Sequence, residues 1–550
     1  MPEAVSEEIE GLGGGEILAR ADSLGLVGAL AAVAARSTTA PRRLAGLGVE
    51  LGKILAGRST VEPEARDWRF ANRAWRDHPG FHRLAQSYLA WERVVDQVVA
   101  DAELDWRTDE RARFASRLVT SALSPTNFFP LNPEAVERAW ETGGKSVVRG
   151  LRNLGRDVRT NHGIPRSVQP GALRVGEELA LTPGAVVHRS EVCELIQYRP
   201  QTPSVYARPV VLIPPQINKY YFMDLAPGRS FVEFAVRQGF QVFVVSWRNP
   251  TSSERQWNLD VYARAALEAV RVAAEVARSA TVNSIALCAG GITAAALLGH
   301  LAAAGDALVH SATFAVTLLD FAVPTMIGMF GSDAVVRNAT RTSERTGVLE
   351  GSASRLLFSL LRPNDLVWNY WVNNNLLGED PPTFDVLTWN ADSTRLPAAL
   401  HADFLDIFHN DSFTRRSLEV LDTPVDLAAV ECDNFVVAAR NDHLTAWRAC
   451  YSTTQLLSGP SEFVLSSSGH IQSLVNPPGN PKMTYASGAR PGPDPDQWLA
   501  DAHEARGSWW DAWAAWVAPR SGDERPAPAE LGAPGFPAQE PAPGLYVLES

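Results

Sequence analysis

The sequence predicts an α/β fold in which helices cover both faces of a parallel sheet. Two observations carry that prediction: short, fully apolar runs recur, and helix-length segments separate them. The first run is Pro209-Val210-Val211-Leu212-Ile213, closed by Pro214-Pro215. A strand buried on both faces reads as a continuous apolar stretch rather than an alternation. A helical stretch follows near 231–238, and Gly239 stops it. The second run is 241–247. Next comes an amphipathic segment. Leu259, Tyr262, Ala266, Ala269, Ala273 and Val276 recur at spacings of three and four, with Asp260, Arg264, Glu268 and Arg271 on other faces. Residues 284–287 form the third run. Strand and helix alternating at this rhythm imply a parallel sheet. The strand pattern returns at 435–439 and 463–465.

The flanks read differently. Residues 1–60 are rich in Ala, Gly and Leu and form a variable helical lead-in. Residues 61–170 make an N-terminal helical domain with aromatic anchors at Phe70, Trp75, Tyr88 and Trp91. Pro165 and Pro170-Gly171 punctuate its end. The sheet domain is expected over 171–524. It is interrupted at about 322–425 by a segment without a convincing buried strand, dense in aromatic and Asn residues, which reads as an inserted cap subdomain. The last stretch, 525–550, carries six prolines and reads as an extended surface tail.

Bulk composition excludes several classes. With 550 residues, of which 45% are hydrophobic and 20% charged, the chain can bury a substantial core. Its net charge of -12 comes with no basic patch, so no nucleic-acid partner is expected. The four cysteines (Cys193, Cys288, Cys432, Cys450) lie far apart without a C-x-x-C pair. That argues against a zinc site and a disulfide framework, and fits a reducing cytoplasm; no metal is expected. The acidic start Met-Pro-Glu-Ala is unlike a secretory signal. No apolar run is long enough for a transmembrane segment; the one at 24–35 is too short.

The chemistry centres on Ala286-Leu287-Cys288-Ala289-Gly290-Gly291. A strand leads into a helix through small residues, the pattern of a nucleophile elbow with a thiol in place of the usual hydroxyl. Taken alone, the hexapeptide reads equally well as a buried free cysteine beside a helix-opening glycine pair. Two further residues follow predicted strands: Asp442 after 435–439, and His470 after 463–465. Catalytic groups gather beyond the carboxyl ends of parallel strands. Nucleophile, acid, histidine is the chain order of α/β-hydrolases. A thiol attacks as thiolate and needs a base, which His470 would supply while Asp442 fixes the ring's tautomer. His443, next to Asp442, is a rival base better placed to buttress the acid. Cys193, Cys432 and Cys450 read as small packed hydrophobes. A thiol also keeps a bound acyl group activated, which hints at acyl transfer from a CoA-type donor to an alcohol.

From about Trp68 onward the chain closely resembles the polyhydroxyalkanoate (PHA) synthases. The resemblance rests on 122–128 (ALSPTNF), 132–135 (NPEA), 213–225 (IPPQINKYYFMDL), 246–250 (SWRNP), 362–366 (RPNDL), 368–371 (WNYW), 467–471 (SSGHI), 476–478 (NPP) and 507–510 (GSWW). It implies an α/β-hydrolase fold with an inserted cap, and an acyltransferase that polymerises (R)-3-hydroxyacyl-CoA into polyester with release of CoA. The family's nucleophile, aspartate and histidine map onto Cys288, Asp442 and His470. Backbone N–H groups of Ala289 and Ile217 would form the oxyanion hole, and Asp442 would help to activate the incoming hydroxyl. Gln216 and the run 466–473 look most like class II synthases. The resemblance further implies no cofactor, a homodimer, a place at the surface of cytoplasmic PHA granules in contact with the growing chain, and phasin-like granule partners. Two departures stand out. The elbow has Ala286 where the family has Gly, and Ala446 stands where the family has Pro after the aspartate. The alternatives are a hydrolase of acyl-CoA or polyester using the same triad, and an inactive granule scaffold, for which Ala286 is the single supporting feature.

Overall fold

A computed structural model describes residues 25–550. They form two compact units. One comprises the residues up to Pro170 together with Leu356–Thr383; the other comprises Gly171–Arg355 and Phe384–Ser550. Of the expected lead-in, 25–60 is helical at Leu26–Arg36 and Ala40–Leu55; residues 1–24 lie outside the described part.

The first unit is helical. Pro79–Ala100 and Trp106–Ala122 are its longest helices after the lead-in, joined by Lys145–Asn161. Phe70, Trp75 and Tyr88 are buried together, with Trp91 packed against them. Leu356–Thr383, read from sequence as part of the cap, clusters here. Its Asn-rich stretch forms π-helical turns at Asn364–Trp368 and Trp371–Leu376. Trp371 donates its indole N–H to Asn127 O (3.0 Å), and Asn153 donates to Asn374 O (2.9 Å).

The second unit is built on a ten-stranded sheet. Its strands are β1 (Gly184–Arg189), β2 (Cys193–Tyr198), β4 (Val210–Ile213), β5 (Val242–Trp247), β6 (Val282–Leu287), β7 (Val309–Ala315), β8 (Asp433–Ala439), β9 (Ser461–Ser466), β10 (Thr484–Ser487) and β11 (His503–Arg506). A short β3 (Ser204–Tyr206) lies outside the sheet and pairs with Glu524–Pro526. The spatial order is β1-β2-β5-β4-β6-β7-β8-β9-β10-β11. The six central strands, β5 to β9 in that order, are parallel. The edges β1-β2 and β10-β11 are antiparallel, as are their junctions with the central strands. The sheet is therefore mixed where the sequence suggested a parallel one. All five apolar runs are strands at its centre, buried on both faces. The edge strands escaped the reading because they carry polar residues and lack that unbroken apolar signature.

Local chemistry explains the elements around the site. Asn258 caps the helix Leu259–Val276 by accepting from Val261 N–H (3.2 Å). The helix Trp509–Val517 starts at Ser508, whose hydroxyl accepts from Trp510 N–H. Its Trp509, Trp510 and Trp513 are all packed around Phe231 beneath the sheet.

The tail, expected to lie extended on the surface, runs along the edge of the sheet. Val186 N–H donates to Glu540 O (2.9 Å), and Gln539 and Ala542 N–H donate to Val186 O and Gly184 O. The tail thus covers the open edge of β1, which would otherwise present unpaired backbone groups. The fully buried carboxylate of Glu194 pairs with Arg189 (2.6 Å) and accepts from Leu545 and Tyr546 N–H (3.0 and 3.1 Å). Prolines suit this path because only alternate N–H groups face β1.

Candidate active site

Cys288 links β6 to the helix Ala289–Ala304. Its backbone has φ 51° and ψ -123°. A non-glycine residue in this region is strained, and here the surroundings hold it. Cys288 N–H donates to Ala315 O (2.9 Å), and its carbonyl accepts from Gly291 N–H (2.9 Å) and the Thr317 hydroxyl (3.2 Å). The sulfur thereby leaves the sheet at the carboxyl end of a central strand.

The two glycines after Ala289 are required by close approach. A Cβ at Gly290 would lie 2.5 Å from Pro214 O and 2.7 Å from Pro214 C. One at Gly291 would lie 2.8 Å from Thr317 Cβ. The loop after β4 therefore passes directly over the helix start. It is tied there by Gln216, whose amide donates to the buried Thr293 hydroxyl (2.8 Å), and by Trp247, whose indole donates to Pro214 O (2.8 Å). Ala289 is the first helical residue, so its N–H has no acceptor within the helix. Ile217 sits in a turn of the overlying loop, packed against the core.

Asp442 and His470 meet as their strand positions suggest. His470 Nδ1 lies 2.6 Å from Asp442 Oδ2. The Asp442 carboxylate also accepts from Leu444 N–H (2.8 Å), Thr445 N–H (2.9 Å) and the Thr445 hydroxyl (2.6 Å). Burial disfavours its charge, but His470 and these donors outweigh that and hold the carboxyl below its ordinary range. His470 is nearly buried. Desolvation works against its imidazolium, yet the charges of Asp442 and Cys288, and hydrogen bonds to both, raise it to about 10. His443 is exposed. Burial pushes the thiols of Cys193 and Cys432 up to about 12 and about 11, and raises that of Cys450, so all three stay protonated.

Sequence reasoning missed two supports. Thr445 locks Asp442 through both its N–H and its hydroxyl; an Asp followed three residues later by Thr is a local turn signal that could have been read. Trp509 donates its indole N–H to Ser473 O (2.8 Å), bracing the helix His470–Leu474 from below the sheet; no local signal marks that contact. Among the described residues no cluster of His, Cys, Asp or Glu could hold a metal ion, and no helix is long and apolar enough to cross a membrane.

Comparison with known proteins agrees with this architecture. Residues 66–235 match the family described as "Poly-beta-hydroxybutyrate polymerase (PhaC) N-terminus", and residues 209–477 match "alpha/beta hydrolase fold". The chain is 45% identical over 510 residues to poly(3-hydroxyalkanoate) polymerase 1 of Ectopseudomonas oleovorans, covering 92% of this chain and 91% of that one. The chain belongs to the poly(3-hydroxyalkanoate) polymerase family. Polymerase 2 of the same organism is 46% identical over 507 residues, covering 92% and 90% of the two chains. The polymerase subunit of Cupriavidus necator is 39% identical over 499 residues, covering 89% and 84%. The higher identity to the two Ectopseudomonas polymerases agrees with the class II likeness. As a member of this family the chain is an enzyme with an α/β-hydrolase fold and an N-terminal helical region.

The family's elbow glycine is Ala286 here, and the structure shows why a methyl fits. Ala286 lies inside β6, paired with Ile213 and Phe314, and is not among the residues with positive φ. The sharp turn begins at Cys288, two residues later. Ala286→Gly should therefore leave turnover within about twofold and lower stability by about 0.5–1 kcal/mol, the cost of glycine inside a strand. Urea unfolding and a CoA-release assay on the purified variant check both numbers.

Proposed function

We propose that this enzyme polymerises (R)-3-hydroxyacyl-CoA into polyester with release of CoA, using Cys288 as nucleophile, His470 as base and Asp442 as its partner. The observation that carries the reading is the strained Cys288 elbow beside a buried His470–Asp442 pair (2.6 Å), in a chain alike over nine-tenths of its length to polymerases of this family. His470 takes the thiol proton, and the sulfur attacks the thioester carbonyl. The C–S bond to CoA breaks, and CoA sulfur leaves with the proton held by His470. The acyl group stays on Cys288 as a thioester. The 3-hydroxyl of an incoming monomer then attacks it while His470 takes the hydroxyl proton; the ester bond forms, the acyl–sulfur bond breaks, and the Cys288 sulfur leaves with the proton held by His470. The fully buried Asp442 side chain supports a role in hydroxyl activation that passes through the His470 ring. The N–H groups of Ala289 and Ile217 are the oxyanion donors of this reading.

The reaction needs neither metal nor cofactor. A growing polyester is hydrophobic and draws the enzyme to a granule surface in the cytoplasm, where phasin-like proteins and a second copy of this chain are its partners. Hydrolysis of acyl-CoA or polymer by the same triad is the alternative. The test gives the protein and its Cys288→Ala variant 3-hydroxybutyryl-CoA and 3-hydroxyoctanoyl-CoA in separate runs. Cys288-dependent CoA release with insoluble polyester is expected, and the faster substrate gives the chain-length class. Release with only free hydroxy acid would make the enzyme a hydrolase. No release from either substrate would leave a scaffold.

A further inference from the structure

The loop after β4 is held by more than the nucleophile helix. A segment at 389–394, inside the expected cap region, ties it at four points. Trp389 donates its indole N–H to Lys219 O (2.8 Å). Thr394 donates its hydroxyl to Gln216 O (2.7 Å). Asn218 and Ser393 form an isolated β-bridge. Asp392 pairs with Lys219 Nζ (2.7 Å) and accepts from the Tyr221 hydroxyl (3.1 Å). These ties flank Ile217 on both sides.

The Lys219–Asp392 pair is the unusual member. The Lys219 ammonium is almost wholly buried, and the carboxylate of Asp392 is the ion-pair partner the structure gives it. A buried cation is costly unless paired, so its position is set by Asp392. Nothing in the thiol chemistry uses this charge, and no step above employs it. The Lys219 carbonyl and side chain are instead both held by the 389–394 segment, through Trp389 and Asp392. Gln216 is held between Thr394 and Thr293.

We propose that Lys219 and Asp392 are positioning residues that set the orientation of the Ile217 N–H toward the oxyanion, so that 389–394 and the oxyanion loop move as one piece. The inference rests on the acyl-transfer reading given above. It makes a prediction that a merely structural ion pair does not. Oxyanion stabilisation acts on the transition state and not on the resting thiol. Asp392→Asn and Lys219→Met should lower kcat for CoA release by ~10–100-fold, below the ~10²–10³-fold loss seen when an oxyanion donor is removed outright, while KM changes less than threefold. The rate of Cys288 alkylation by iodoacetamide, which has no oxyanion, should stay at the wild-type value. Lys219→Arg keeps the pair and should recover most of kcat. Thr394→Val removes an independent tie without stranding a charge, so it reports even where Asp392→Asn folds poorly; it should show the same kcat-only loss at smaller size.

Alkylation that falls in step with kcat, or kcat unchanged in both Thr394→Val and the ion-pair variants, overturns the inference while leaving the polymerase reading intact. Wild-type protein without Cys288-dependent CoA release overturns that reading, and the inference with it.

Discussion

His470→Gln is expected to slow CoA release by at least ~10²–10⁴-fold, the range general acid–base catalysis contributes, with KM held within a few-fold. Gln keeps the size of the side chain and a donor toward Asp442 but cannot take a proton. The loss falls on chemistry because His470 is nearly buried against the buried Asp442. The same variant carries a pH signature. Asp442 and Cys288 together overcome burial and raise His470 to about 10. A group whose pKa rises on folding adds stability that is complete below its unfolded pKa, about 6.5, and is lost as pH rises through the folded value. Asp442 is shifted down, so its contribution is complete above about 3.9 and lost as pH falls through its folded value. The gap in melting temperature between wild type and His470→Gln should be widest from about pH 5 to 6.5 and close toward about pH 10. A gap independent of pH over that span would mean that the ring is held by packing and not by charge.

Gly290→Ala should do more damage than a single methyl usually does. The added Cβ meets backbone atoms of Pro214, 2.5 and 2.7 Å away, and backbone cannot rotate aside as a side chain can. Either the helix start or the loop must shift. Both carry the proposed oxyanion donors, at Ala289 and Ile217. Overpacking of this kind costs about 1–3 kcal/mol, and a shift near 1 Å at a reacting centre costs about 10²-fold in rate. Urea unfolding and kcat measured together check the pair of numbers. Stability and turnover both at wild-type level would show that the loop stands farther from the helix than the structure places it. The contrast with Ala286→Gly is informative. Two small residues lie two positions either side of Cys288, yet only Gly290 is demanded by its neighbours.

Much of the site was legible because it depends on local order along the chain. Cys288, Asp442 and His470 each follow a strand whose apolar run is unbroken, and a parallel sheet delivers such residues to one edge. The helix 259–276 announced itself by periodicity and its Asn258 cap. Other features had no local signature. Thr445 and Trp509 support the triad through contacts to Asp442 and Ser473, and Trp509 lies 36 residues from the carbonyl it holds. The edge strands β1, β2, β10 and β11 mix polar and apolar residues, so periodicity does not separate them from loops. The 356–383 stretch gave no hint that it clusters with the helical unit, since its partners Asn127 and Asn153 are more than 200 residues away in sequence.

The sequence by itself determined the central strands and the placing of Cys288, Asp442 and His470 at their ends, because apolar patterning and turn chemistry act within a few residues. Only the tertiary structure decided why Ala286 is harmless and Gly290 is not, how Asp442 stays charged while buried, and how the tail seals β1. Those outcomes depend on which distant backbone atoms arrive beside a given Cα, and close packing, not local preference, settles that.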